Sequence, residues 1–153
     1  FADSNQLRQV FLNLIINAAD AISAESGNAG GKLEITTALE TKTDPDSQNP
    51  ASRLKIMFID NGPGIAEANL ARIFEPFYTT KPVGKGTGLG LSICYGIVAK
   101  IGGDIEAHSV KGEGSTFTVH IPAGKSGRNL HQEAIEKKLE DAKRHHPVLG
   151  QKI

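Results

Sequence analysis

Two asparagines four residues apart are the first candidates for chemistry. Asn13 and Asn17 lie within the apolar segment VFLNLIINAADAI, and Asp20 follows on the same helical face. A buried amide without a partner costs roughly 1–3 kcal/mol, so two in register with a carboxylate indicate a site. An Asn oxygen is a hard, neutral ligand suited to Mg²⁺, which takes its other ligands from phosphates and water. A hydrogen-bond network between helix and loop explains the pair equally well.

A carboxylate followed by two glycines ends an apolar stretch in Asp60-Asn61-Gly62-Pro63-Gly64-Ile65. Asp60 could accept a hydrogen bond from an amine held in a pocket. Gly62 and Gly64 would let a flat ligand approach the backbone closely. Taken alone, the segment is better explained by an ordinary Asp-Asn-Gly turn.

Alternating glycines lead into an apolar helix in the segment Gly84-Lys85-Gly86-Thr87-Gly88-Leu89-Gly90-Leu91-Ser92. Exposed backbone N–H groups and a helix N-terminus form an anion site that usually takes phosphate. The spacing fits neither a Walker loop nor a dinucleotide-binding turn. A flexible linker would share this composition, but the position between Phe74-Glu75-Pro76-Phe77 and the helix favours a mobile lid.

The elements that must position these residues follow from hydrophobic periodicity. Helical spacing predicts helices at about 3–24, 66–73, 89–101 and 130–144, and alternation predicts strands at 33–39, 53–60, 104–110 and 115–121. The first helix is apolar on two sides, so its polar stripe, which includes Asn13 and Asn17, is expected to face a cavity. Strands joined by hairpins are antiparallel. The order predicts an α+β two-layer sandwich, with helices on one face of a mostly antiparallel sheet.

Composition excludes several classes. The 153 residues suit one domain with a hydrophobic core, and 17 basic residues balanced by 17 acidic ones argue against a general nucleic-acid surface. The single cysteine, Cys94, cannot form an intrachain disulfide and favours a reducing compartment. No apolar run approaches the length of a membrane span. Because the chain opens on Phe1 rather than Met, we expect a fragment of a longer protein.

Together the segments resemble the GHKL nucleotide-binding family, and within it the sensor histidine kinases. The matching motifs are the asparagine box (Asn13, Asn17), the first glycine box (Asp60 to Ile65), the phenylalanine box (Phe74 to Phe77), the second glycine box (Gly86 to Leu91) and a closing segment (Gly112 to Phe117). They occur in the family's order over about Asp3 to Pro122. The resemblance implies the Bergerat ATP-binding fold, with a mixed sheet, in a domain at 1–123 followed by a helical tail or linker at 124–153.

The resemblance also implies roles. Asp60 would bind the adenine amino group, Asn17 would coordinate Mg²⁺ on the ATP phosphates, and Asn13 and Lys81 would assist transfer. Phe74 and Phe77 would anchor a short lid of the nitrogen-regulation type. The implied ATP-binding set is Asn13, Asn17, Asp20, Asp60, Gly62, Gly64, Ile65, Phe77, Thr79, Thr80, Lys81, Gly86, Thr87, Gly88, Leu89, Gly90 and Thr116.

Position 13 separates the functions open to this family. Its ATPases carry a Glu four residues before the metal-binding Asn, as general base for water, and an amide cannot take that proton. Asn13 therefore favours transfer of the γ-phosphoryl group to a histidine outside the domain. None of the five histidines has the context of such an acceptor. An ATPase or serine kinase of the same fold, and a nucleotide-binding module without catalysis, are the alternatives.

The resemblance implies partners as well. We expect the acceptor histidine on a dimerising helical hairpin preceding Phe1, a response regulator downstream, and a fragment that is monomeric by itself. The parent would be a cytoplasmic or membrane-anchored protein with its catalytic domain in the cytoplasm. The predicted helix at 130–144 could dock on the domain, lead to a receiver domain, or be solvated.

Overall fold

The computed structural model describes residues 3–24, 30–42, 51–82, 84 and 86–123. Its elements are α1 (Ser4–Ala24), β1 (Leu33–Lys42), β2 (Ala51–Asp60), α2 (Glu67–Leu70), α3 (Gly90–Lys100), β3 (Asp104–Val110) and β4 (Gly114–Pro122). The predicted order is confirmed for these elements. Helix α2 is shorter than the predicted 66–73, because residues 71–74 continue as turns. The predicted helix at 130–144 lies outside the described residues.

The four strands form one sheet in the order β1-β2-β4-β3, and all three pairs are antiparallel. Directly opposed residues share a face. Phe58 therefore lies on the same face as Ile35 and Phe117, while Met57 and Thr118 lie on the other. Helices α1 and α3 pack on the face that carries Phe58. The predicted α+β class, with helices on one face of the sheet, is confirmed.

The core lies between the two long helices and this face of the sheet. Val10 and Leu14 of α1, and Cys94 and Val98 of α3, are at most 1% exposed. They pack against strand residues that include Ile56, Phe58, Ile105, Phe117 and Val119. Burying each such side chain stabilises the fold by roughly 1.5–3 kcal/mol. No helix among the described residues is long and apolar enough to cross a membrane.

The ends of the helices have identifiable stops. The Asp3 carboxylate accepts a hydrogen bond from the Asn5 N–H at 2.9 Å, as an N-cap does. Helix α3 ends where Gly102 takes a φ of 74° and the Gly103 N–H donates to the Val98 carbonyl at 3.0 Å. The first turn of α3 lies beside the middle of α1.

Candidate functional site

A cavity of about 930 Å³ opens between α1, the end of β2, the loop after Phe77 and the start of α3. Many of the residues predicted to bind ATP line it, namely Asn17, Asp20, Asp60, Gly64, Ile65, Thr79, Thr80, Lys81, Gly86, Thr87, Gly88 and Gly90. The others, Asn13, Gly62, Phe77, Leu89 and Thr116, are not among its lining residues. The fold thus brings together three segments that are far apart in the sequence.

Asp60 is the buried carboxylate of the cavity. It ends β2, is 5% exposed, and accepts a hydrogen bond from the Gly62 N–H at 2.9 Å and another from the Ser115 backbone N–H. Burial raises the pKa of Asp60 above its ordinary value, although the two N–H donors oppose the rise. A buried carboxylate with acceptor capacity left over is suited to an amine donor on a ligand.

The turn after Asp60 is held from behind by the β3–β4 hairpin. The Ile65 N–H donates to Ser109 Oγ at 2.7 Å, and the Gly112 N–H donates to the Pro63 carbonyl at 2.8 Å. Gly64 has a φ of 67°, and a Cβ there would collide with the Val110 carbonyl oxygen. Only glycine fits this position without strain, so the wall of the cavity is set by backbone.

Asn13 and Asn17 do different things. The Asn13 Nδ2 donates to the Gly90 carbonyl at 3.3 Å, which joins α1 to the first residue of α3. Asn17 lines the cavity one turn further along α1. A structural hydrogen bond therefore accounts for Asn13, whereas Asn17 lines the cavity where a ligand could reach it.

The two residues that bound the loop after the phenylalanine box, Phe77 and Gly88, are hydrogen-bonded to each other. The Phe77 N–H donates to the Gly88 carbonyl at 2.9 Å, both residues have a φ of 66°, and a Cβ on Gly88 would collide with the Phe77 backbone. The Phe77 ring is 75% exposed, so the expectation that this side chain anchors the lid in the core is corrected. Phe77 anchors through its backbone, whereas the Phe74 ring packs 5.9 Å from that of Tyr95.

Part of the cavity wall is suited to anions. The first N–H groups of a helix have no intrahelical acceptor, and Gly90 and Leu91 in the first turn of α3 line the cavity. Lys81 also lines it and forms a 2.6 Å ion pair with Asp20. Among the described lining residues, Lys81 is the only cation.

Thr116 lies away from the cavity. It pairs with Ile59 and His108, on the sheet face opposite that of Asp60, because neighbouring residues of a strand point to opposite faces. The preceding residue, Ser115, contacts Asp60 instead. Ser115 acts through its backbone N–H, so its residue type gave no signal, and its role follows from its place opposite Asp60 in the β2–β4 register. The role of Ser109 depends in the same way on the β3–β4 register.

With this geometry in place, the chain can be compared with known proteins. Residues 2–125 match the family model described as histidine kinase-, DNA gyrase B-, and HSP90-like ATPase. The chain belongs to this family. It is therefore an ATP-binding domain, and the fold expected from the five motifs is the one observed.

The curated proteins that the chain resembles include sensor kinases. The chain is 39% identical to the sensor kinase CckA of Brucella abortus, over 92% of this chain and 15% of the relative. It is 39% identical to the sensor histidine kinase ZraS of Escherichia coli K12, over 79% of this chain and 22% of the relative. The chain thus spans less than a quarter of either curated relative.

Solved structures agree with this assignment. The nucleotide-free catalytic domain of the histidine kinase ThkA matches with a TM-score of 0.59 and 35% identity, over 79% of this chain and 69% of that one. The mycobacterial sensor histidine kinase MprB matches with a TM-score of 0.60 and 26% identity, over 79% of this chain and 72% of that one.

Proposed function

We propose that this domain binds Mg-ATP and transfers its γ-phosphoryl group to a histidine carried by another domain of a longer sensor kinase. In the transfer, a bond forms between the imidazole nitrogen and the terminal phosphorus, the bond to the bridging oxygen breaks, and ADP leaves. Such chemistry needs mainly positioning and charge neutralisation. The cavity supports both, because a buried carboxylate, the first residues of a helix and a lysine all line it.

Each end of the cavity would hold one part of the nucleotide. Asp60 would accept the adenine amino group, and the backbone at Gly64 would lie against the base. Thr87, Gly88 and Gly90 would hold phosphates, with Lys81 adding positive charge. Leu89 and Gly86 would shape this loop, while Thr79 and Thr80 would contribute hydroxyls from the lid.

Magnesium fits the donor set of this cavity. The Asn17 amide and the Asp20 carboxylate both line it, and hard oxygen ligands with room for water and phosphate are what Mg²⁺ prefers. Asn17 would be the protein ligand of the ion. Bound Mg²⁺ would neutralise phosphate charge during transfer.

A single observation favours the kinase over an ATPase of the same family. Position 13, where those ATPases carry their general base, holds an amide that is bonded to the Gly90 carbonyl. The two carboxylates among the described lining residues are Asp20 and Asp60, and neither stands at that position. An amide cannot take the proton of water, so the domain would keep ATP for a stronger nucleophile.

Calorimetric titration with a non-hydrolysable ATP analogue, with and without Mg²⁺, tests the binding part of the proposal. Asp60→Ala should abolish saturable binding while the circular dichroism of the fold is kept. Glu106→Ala, which removes an exposed carboxylate from the opposite face of the sheet, should bind as the wild type does. Binding by Asp60→Ala equal to that of the wild type would contradict the assignment of the adenine end.

The wider partners follow from the same proposal. The acceptor would lie on a dimerising histidine-phosphotransfer hairpin of the parent kinase, and a response regulator would receive the phosphoryl group next. We expect the domain to act in the cytoplasm, where ATP is supplied, without binding nucleic acid. By itself it should be monomeric, and light scattering that shows a stable dimer would contradict this expectation.

A further inference from the structure

The pair formed by Lys81 and Asp20 joins the loop after Phe77 to α1 at the wall of the cavity. The Lys81 Nζ lies 2.6 Å from the Asp20 Oδ2, and the two residues are 61 positions apart in the sequence. Both line the cavity. The cation that a polyanionic phosphate chain would need is therefore already neutralised by a carboxylate of the protein.

The lid holds Lys81 in this position. The Lys81 N–H donates to the Thr79 hydroxyl at 3.1 Å, which forms a tight local turn. A Cβ on Gly86 would approach the Thr79 hydroxyl to 2.7 Å and the Lys81 Cβ to 3.2 Å. The base of the Lys81 side chain is thus packed against the glycine run, and the ammonium group reaches Asp20 from a defined origin.

A triphosphate that contacts Lys81 competes with Asp20 for its ammonium group. The carboxylate would then stand unpaired beside phosphate oxygens, and like charges at short range repel. A magnesium-bound triphosphate would meet a smaller penalty, because Mg²⁺ held at Asn17 would supply positive charge to the wall that also carries Asp20. The cost of the exchange therefore falls mainly on the metal-free nucleotide.

We infer that Asp20 is a specificity-determining residue that makes the pocket prefer magnesium-bound over free triphosphate, by competing for Lys81. The inference rests on the proposed function and deepens it. The exchange moves no covalent bond. It replaces the contact of Lys81 with a carboxylate by its contact with phosphate, and the metal compensates the carboxylate that is released.

The test measures the binding of three probes, which are the metal-free ATP analogue, the magnesium-bound analogue and adenosine. Each is titrated into the wild type, Asp20→Asn and Glu34→Gln. Glu34 is the matched control, because its pair with Lys32 is also 2.6 Å long, its side chain is 46% exposed against 50% for Asp20, and it lies outside the cavity. An exposed pair of this kind contributes 0.2–1 kcal/mol. Asp20→Asn should therefore tighten binding of the metal-free analogue by about 1.4- to 5-fold.

The other probes identify the mechanism. With the magnesium-bound analogue the gain should be smaller, so the preference for magnesium falls in Asp20→Asn, and with adenosine the affinity should not change. Glu34→Gln should match the wild type with every probe. Weaker or unchanged binding of the metal-free analogue by Asp20→Asn would overturn the inference, as would an equal change with adenosine. If the wild type bound none of the three probes, the proposed function itself would fail.

Discussion

At the scale of single residues, side chains of the same type have different roles because their surroundings differ. Asn13 and Asn17 belong to one motif, yet one joins two helices and the other faces the cavity. Asp20 and Asp60 line one cavity, yet one is half-exposed and paired while the other is buried among N–H donors. Residue type therefore limits the chemistry, and the neighbours decide the role.

The raised pKa of Asp60 predicts a pH dependence of nucleotide binding. The ionised carboxylate accepts the adenine amino group more strongly than the protonated acid does, so affinity should fall with acidification through a pKa above the ordinary 3.8. In Asp60→Asn the affinity should be lower and the slope with pH should be absent. Calorimetric titrations with the ATP analogue at intervals of about one pH unit, which is the size of common carboxyl pKa shifts, would measure both between pH 4 and pH 7. A wild-type affinity that stays constant down to about pH 4 would contradict the assignment.

The same shift affects stability with the opposite sign to that of a paired surface carboxylate. The folded chain holds the Asp60 proton more tightly than the unfolded chain does, because burial raises the folded-state pKa. This contribution to stability is present below the unfolded pKa and is lost as the pH rises through the folded one. Site formation thus places an unfavourable charge in the fold at neutral pH.

The division of work between the two asparagines predicts separable variants. Asn17→Ala should remove the gain in affinity that Mg²⁺ gives to the ATP analogue. Asn13→Ala should retain that gain but lower the free energy of unfolding by about 1 kcal/mol, because it removes one hydrogen bond. Calorimetry and urea denaturation on both variants would measure these effects. Loss of the magnesium effect in both variants to the same extent would show that the amides act together.

At the scale of elements, the cavity depends on turns more than on helices. The β3–β4 hairpin supports the turn after Asp60 through Ser109 and Gly112, and the Phe77–Gly88 contact closes the lid at its neck. These contacts are between backbone atoms or short side chains. The turns are therefore positioned closely even where the loop surface is exposed.

Two glycines of this region make a matched test. Gly64 and Gly112 both have positive φ, but only at Gly64 would a Cβ collide with neighbouring backbone. Gly112→Ala should lower the free energy of unfolding by about 1–2 kcal/mol, the cost of left-handed backbone. Gly64→Ala should lower it further and weaken binding of the ATP analogue. Equal losses in urea denaturation, with unchanged binding in both, would refute the role given to the Gly64 turn.

At the scale of the whole molecule, one sheet and two helices provide a frame for a nucleotide whose reaction partner, in the proposed function, would lie on another domain. The described fold contains the cavity and its walls, while the relatives it matches are several times longer. A binding domain of this kind can be tested by itself, because ligand binding and folding are thermodynamically linked.

Ligand binding should stabilise the entire domain. At an analogue concentration 100-fold above the dissociation constant, the free energy of unfolding should rise by about 2.7 kcal/mol. Differential scanning calorimetry with the magnesium-bound analogue would show this as a higher midpoint temperature. Asp60→Ala should show no rise, and Glu106→Ala should show the full one. An equal rise in Asp60→Ala would mean that the analogue binds elsewhere.

The sequence by itself determined the fold class, the family and the set of segments that meet at the cavity. Hydrophobic periodicity and glycine spacing are local properties, so α1, the strands, the Asp60 turn and the glycine run could be read without coordinates. Their order along the chain then specified the family.

Only the tertiary structure decided what several side chains do. Asn13 turns to a carbonyl 77 residues away, and Lys81 reaches a carboxylate 61 residues away. No local pattern encodes such pairs, because they depend on how helices and loops pack. The exclusion of Thr116 and the support given by Ser109 follow from strand register, where a shift of one residue reverses the face. The residue types thus determine which chemistry is available, whereas long-range packing determines which side chains contact each other.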